Sequence, residues 1–124
     1  MPLVRVSALP QPEGFDVAAA AKAVALDLAA LLGDEPRGTW VTWETIKPGL
    51  YAEGDVAPDV QPRDTHPPLV RLFAAQRPPE LVERMLVCVA DTLVRELRLE
   101  PGNVFAVYEE AAPGRLYTGG SVFR

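Results

Sequence analysis

The sequence predicts an α+β fold: a four-stranded mixed sheet with two helices on one face, assembled from two tandem β-α-β units. Three observations predict it. Pro2-Leu3-Val4-Arg5-Val6-Ser7-Ala8 returns as Pro68-Leu69-Val70-Arg71-Leu72-Phe73-Ala74, with the first four residues unchanged at an offset of 66, and such self-similarity marks two copies of one supersecondary unit. Each copy opens with period-two alternation and then takes the period of an amphipathic helix. A second run of strand-forming residues follows each helix, and strand, helix, strand in one sheet gives parallel strands with a right-handed crossover. The 124 residues suit one domain, with unit one over about 1–54, a linker over about 55–66 and unit two over about 67–124.

In unit one, Leu3 to Leu9 places Val4, Val6 and Ala8 on one face and Leu3, Arg5 and Ser7 on the other. Pro10 to Gly14 is a loop, Asp16 caps a helix running to Leu32, and Gly33 stops it. Val17, Ala20, Ala21, Val24, Leu28, Leu31 and Leu32 form its apolar stripe, the alanines allowing close packing. Thr39 to Lys47 is the second strand, ended by Pro48-Gly49. Trp40 and Trp43 fall on opposite faces, which sends one to the core and the other to a subunit contact or a pocket wall. From Tyr51 to Pro67 the chain is acidic and rich in proline, and His66 is expected to be a solvated loop residue.

In unit two, Leu69 to Ala75 is a strand and Pro78-Pro79 suits the first turn of a helix. Val82, Met85, Leu86, Val89, Leu93 and Leu97 mark its buried face. Glu80 with Arg84, and Asp91 with Arg95, are spaced for i,i+4 pairing on the exposed side. Cys88, beside the apolar stripe, reads as a small buried hydrophobe. Pro101-Gly102 turns the chain into a fourth strand, Val104 to Tyr108. The glycine-rich tail from Gly114 to Phe123 is no helix and ends in a short extended piece.

A net charge of -5 argues against nucleic acid or an anionic membrane as a partner, because phosphates would go unneutralised. Any anion must be captured by individual arginines. One cysteine forms no internal disulfide, and one cysteine with one histidine makes no metal cage, so neither metal nor cofactor is implied. The apolar run from Val17 to Leu32 is interrupted by Lys22 and Asp27 and is shorter than the roughly 20 residues of a membrane span. A cytoplasmic, reducing setting is expected.

Two residues carry candidate chemistry. A small residue behind the initiator normally allows Met1 to be removed, which would expose Pro2 as a secondary amine. A free α-amino group titrates near ~8, and an apolar pocket pulls that value down, so such a nitrogen near neutral pH is able to take a proton. By itself the dipeptide reads first as the start of an edge strand, where a missing N–H does no harm. Arg77, just before Pro78-Pro79, is a guanidinium at a strand end, equally a surface charge or a bidentate grip for a carboxylate.

With the repeat, these residues resemble the tautomerase superfamily, whose members pair two β-α-β units and begin with a catalytic proline. The resemblance implies a homotrimer whose sheets form a central barrel, with Pro2 as base then acid near a subunit boundary. Arg77 looks like the arginine that binds a substrate carboxylate, although counting from Pro68 leaves it one residue short of the family spacing, a difference that a bulge would absorb. The corresponding place in unit one holds Pro12, and the nitrogen of Pro68 is locked in a peptide bond, so one site per chain follows. Arg115 and Tyr117 from the tail are assigned to closing or polarising the pocket.

The departures narrow the chemistry. Thr39 and Phe105 stand where 4-oxalocrotonate tautomerases have a second arginine, which weakens the case for a dicarboxylate. Lys47-Pro48-Gly49 resembles malonate semialdehyde decarboxylase, but Gly38 and Ala75 replace its aspartate and second arginine. Ala74 and Val107 replace the arginine and tyrosine of cis-3-chloroacrylic acid dehalogenases. Arg98-Leu99-Glu100-Pro101 is similar to a turn of macrophage migration inhibitory factor, whose thiol pair is absent here. Decarboxylation, dehalogenation and thiol exchange are disfavoured, which leaves keto-enol tautomerisation of a small 2-oxo or 2-hydroxy-dienoic monocarboxylate. The alternative is a non-catalytic trimer or ligand-binding member of the same fold.

Overall fold

The computed structural model describes every residue from Met1 to Arg124. In chain order it contains β1 (Leu3–Ala8), α1 (Val17–Leu32), β2 (Trp40–Thr45), β3 (Leu69–Ala75), α2 (Pro79–Leu97), β4 (Phe105–Ala111), β5 (Tyr117–Thr118) and β6 (Ser121–Val122). The main sheet runs β2-β1-β3-β4. Its outer pairs are parallel and its central pair, β1 with β3, is antiparallel. This is the α+β fold that the repeat predicts.

The central register shows the pseudo-twofold directly. Leu3 pairs with Phe73, Ser7 with Leu69, and Arg5 with Arg71. Shifting any of these pairs by the repeat offset reproduces another, and the pair Arg5–Arg71 maps onto itself. Trp40 N–H donates to the Pro2 carbonyl at 3.0 Å, and Phe105 N–H donates to the Pro68 carbonyl at 3.0 Å. Pro68 therefore opens unit two. The β3–β4 ladder runs from Leu69 to Ala75 without the expected bulge. At a constant offset, Gln11 rather than Pro12 occupies the place equivalent to Arg77.

Alternation on the strands decides which face carries the core. Val4, Val6 and Ala8 of β1 and Val70, Leu72 and Ala74 of β3 meet Ala20, Val24 and Leu28 of α1 and Met85, Val89, Leu93 and Leu97 of α2. Each fully buried large aliphatic contributes about 1.5–3 kcal/mol of transfer free energy. Helix α1 begins where Asp16 Oδ1 accepts from Ala19 N–H at 3.1 Å. It ends in a Schellman arrangement, with Asp34 N–H on the Ala29 carbonyl and Gly33 N–H on the Ala30 carbonyl.

Arg95 does not pair with Asp91. It reaches across to Asp27 of α1 at 2.9 Å, where Thr92 Oγ1 also donates to Asp27 at 2.7 Å. A carboxylate at the helix contact, already bonded to a hydroxyl, outcompetes one in water. Glu80 and Arg84 form no ion pair either. Both exposed i,i+4 pairs are thus absent.

His66 is also corrected. It is 1% exposed, with Nε2 2.8 Å from the Val56 carbonyl and Nδ1 3.0 Å from Thr65 Oγ1. Its ring meets Tyr51 edge-on at a centroid distance of 5.1 Å. Prolines at 58, 62, 67 and 68 give the segment no N–H at those positions, so side chains supply the missing donors. Gln61 Nε2 donates to the carbonyls of Pro62, Thr65 and His66, Tyr51 to Pro67, and Asn103 to Arg63 and Thr65.

The other sheet face carries no helix. Leu3, Trp40, Leu69, Phe73, Phe105 and Val107 share it by register, with Trp40 49% and Phe105 58% exposed. Trp43 points the other way and packs on the core. On the bare face Arg71 bonds Glu109 at 2.9 Å and lies over the Phe73 ring at 5.1 Å.

Candidate functional site

Because β1 and β3 are antiparallel, the start of β1 lies beside the end of β3. Pro2 is buried there, its carbonyl tied to β2 by the Trp40 N–H. The same sheet end holds the turn from Ala75 to Arg77, and two cavities open on its opposite faces.

The bare-face cavity has a volume of about 430 Å³ and is lined by Met1, Leu3, Trp40, Phe73, Arg115 and Tyr117, among others. One wall is the tail, which folds into a β5–β6 hairpin. The turn residues Gly119 and Gly120 have φ of 62° and 87°, a left-handed pair that glycine adopts without strain. Thr118 Oγ1 lies 3.7 Å from the sulfur of Met1. Glu109 borders the cavity but is neutralised by Arg71, whereas Arg115 has no acidic partner.

The helix-face cavity, about 660 Å³, is lined by Arg77, Tyr108 and Glu110 with Val82, Leu86 and Val87 of α2. Arg77 forms no ion pair, and its Nε is buried without a hydrogen-bond partner. Leaving a buried donor unpaired costs about 1–3 kcal/mol. The Tyr108 hydroxyl donates to the Ala75 carbonyl at 2.6 Å. Burial pushes its phenol above the usual 10.0, while Arg77 beside it pulls the other way.

The structure places Arg115 and Tyr117 in the cavity that Met1 also lines, and Arg77 on the opposite face of the same sheet end. Pro2 lines neither cavity. Phe73 and Tyr108 were not singled out as site residues in the sequence. Strand parity with Leu3 was the signal available for Phe73, and Tyr108 had none beyond closing the fourth strand. Cys88 stands apart on α2, its thiol pushed up by burial. There is no cluster of three or more His, Cys, Asp or Glu side chains able to hold a metal, and no helix is long and apolar enough to cross a membrane.

No family model matches the chain, and no curated protein matches it in sequence. Solved structures do match in shape. Pt0534 inactivated by 2-oxo-3-pentynoate superposes with a TM-score of 0.81 at 11% identity, over 98% of this chain and 94% of that one. A wild-type fused 4-OT asymmetric trimer gives 0.79 at 12% identity, over 97% and 94%. The chain has the tautomerase-superfamily fold. A macrophage migration inhibitory factor-like protein from Entamoeba histolytica shares it at a TM-score of 0.70 and 13% identity, over 98% of both chains. Structures of this fold also include malonate semialdehyde decarboxylase, so the tautomerase-superfamily backbone is compatible with more than one reaction.

Proposed function

We propose that this chain is a tautomerase that moves a proton between oxygen and carbon of a small 2-oxo or 2-hydroxy-dienoic monocarboxylate. The observation that supports the reading is the burial of Pro2 at the sheet end whose two faces carry Arg77 and Arg115, each lining a cavity and neither paired with an acid. With Met1 removed, the secondary amine of Pro2 sits in apolar surroundings that favour its neutral form. It accepts the proton of the enol hydroxyl as C–O becomes C=O, and returns a proton to carbon as the C=C electrons shift. Arg77 holds the carboxylate, and Arg115 with Tyr117 closes and polarises the pocket from the tail.

The bare sheet face, with its exposed Trp40 and Phe105, is covered in a homotrimer; fused 4-OT, similar in fold, is described as a trimer. Proton transfer is preferred to decarboxylation or dehalogenation because Gly38, Ala74, Ala75 and Val107 supply none of the polar groups that those reactions use in similar proteins.

The deciding experiment treats Met1-free protein with 2-oxo-3-pentynoate, the inactivator of Pt0534, and assays phenylenolpyruvate and 2-hydroxymuconate turnover. Stoichiometric labelling of Pro2 with loss of turnover is expected. Labelling elsewhere, or none with full turnover, removes Pro2 from the mechanism. One contact favours a second reading for the Met1-bearing form: Met1 lies against Thr118 in the cavity wall and amidates Pro2, which leaves a carboxylate-binding protein without turnover.

A further inference from the structure

We infer that Tyr108 is a positioning residue for Arg77, fixing the guanidinium through which this chain grips a carboxylate. The inference rests on the reading of Arg77 above. Three observations meet at this point. Arg77 leaves the sheet two residues beyond Ala75, where the β3 ladder ends. The Ala75 carbonyl receives the Tyr108 hydroxyl at 2.6 Å, so the phenol clamps the strand end from which Arg77 departs. Tyr108 and Arg77 line one cavity, with the phenol and the guanidinium sharing its wall.

A half-buried arginine with a desolvated, unpartnered Nε has every reason to swing into water. Its stem is followed by Pro78 and Pro79, which restrict the backbone but make no contact with the guanidinium by hydrogen bonding. The aromatic body of Tyr108 is held from the core side, since it packs on the main apolar cluster. Its hydroxyl is therefore a fixed point beside a guanidinium whose Nε no hydrogen bond holds. A guanidinium that is not held must be ordered each time a carboxylate binds, and that ordering weakens the grip on substrate.

The test is Tyr108→Phe, which keeps the ring and removes the hydroxyl, compared with Arg77→Ala and with the double variant. Each is assayed in Met1-free protein on phenylenolpyruvate and on its methyl ester, with thermal unfolding recorded alongside. The expected result is a KM for the acid raised about threefold to tenfold in Tyr108→Phe, with kcat falling less. On the ester both single changes cost less than on the acid, and the double variant is no worse than Arg77→Ala. A rise in KM for Arg77→Ala with none for Tyr108→Phe overturns the positioning role and leaves Arg77 in place. Unchanged kinetics in Arg77→Ala overturns both. Equal losses on acid and ester in Tyr108→Phe show a structural effect, and also overturn it.

Discussion

The most direct consequence of the site concerns the nitrogen of Pro2. Retaining Met1 converts that nitrogen into a tertiary amide whose lone pair is delocalised into the carbonyl, whereas removing Met1 leaves a secondary amine at the same point. The backbone around it does not depend on the choice. Pro2 contributes its carbonyl to β2 through the Trp40 N–H at 3.0 Å, a bond available to either form. A general base contributes about 10²–10⁴ in rate, or roughly 3–5 kcal/mol at about 1.4 kcal/mol per tenfold. Met1-bearing protein is therefore expected to turn over phenylenolpyruvate at least about a hundredfold more slowly than the processed form. Its unfolding midpoint should hardly move, because the Met1–Thr118 contact is a single weak sulfur interaction. Pro2→Ala in processed protein keeps a primary amine and should fall between the two. The assay is steady-state turnover on samples whose N-termini are verified by intact mass. Equal turnover by Met1-bearing and processed protein would refute the reasoning and leave the chain as a binding member of its fold.

Sedimentation should report a particle near three times the chain mass of 13.4 kDa, and Phe105→Glu on the bare face should dissociate it; a wild-type monomer at micromolar concentration defeats the assembly. Thr92 first, and then Arg95, hold the Asp27 carboxyl below its usual 3.8. The stability this supplies is complete above that value and is lost as pH falls through the lower folded-state pKa. Urea midpoints of wild type and Asp27→Asn should accordingly differ at neutral pH and converge in strong acid, and parallel curves would contradict this. His66→Ala should cost about 2–4 kcal/mol by urea unfolding, since it empties a packed site and leaves the Val56 carbonyl with the Glu53 N–H as its remaining donor; a change within about 0.5 kcal/mol would return His66 to the solvated loop.

The strands and helices were legible because each depends on local signals. The Pro-Leu-Val-Arg repeat, the Asp16 cap and the Gly33 stop each act within a few residues, and all three stand in the structure. Partner choice was not legible. Arg95 chose Asp27 over Asp91 because of a helix contact between residues distant in sequence. His66 was misread because composition reports how polar a segment is and says nothing of which carbonyls it must satisfy. Of the candidate site residues, the structure reports only their places. Arg115 and Tyr117 meet the N-terminus because the tail returns as a hairpin, which the Gly119-Gly120 pair permits. The place of Arg77 depends on a register that two adjacent prolines left ambiguous, and the β1–β3 pairing with the Pro68–Phe105 hydrogen bond settles which of them counts.

The self-mapping pair Arg5–Arg71 has a consequence for how the chain's start relates to its chemistry. The two ends of the sheet are the same scaffold, and what separates them is where the backbone has been cut. At one end Pro2 follows Met1; at the other, Pro68 is continuous with a segment braced by Tyr51, Gln61 and His66. A circular permutant beginning at Pro68 would move the free secondary amine to the far end of the sheet without altering a strand pairing. At the place equivalent to Arg77 it would carry Gln11, an amide in place of a cation. On the proposed reading, reactivity is a property of chain connectivity laid over a symmetric frame, and moving it requires both a new terminus and a new charge.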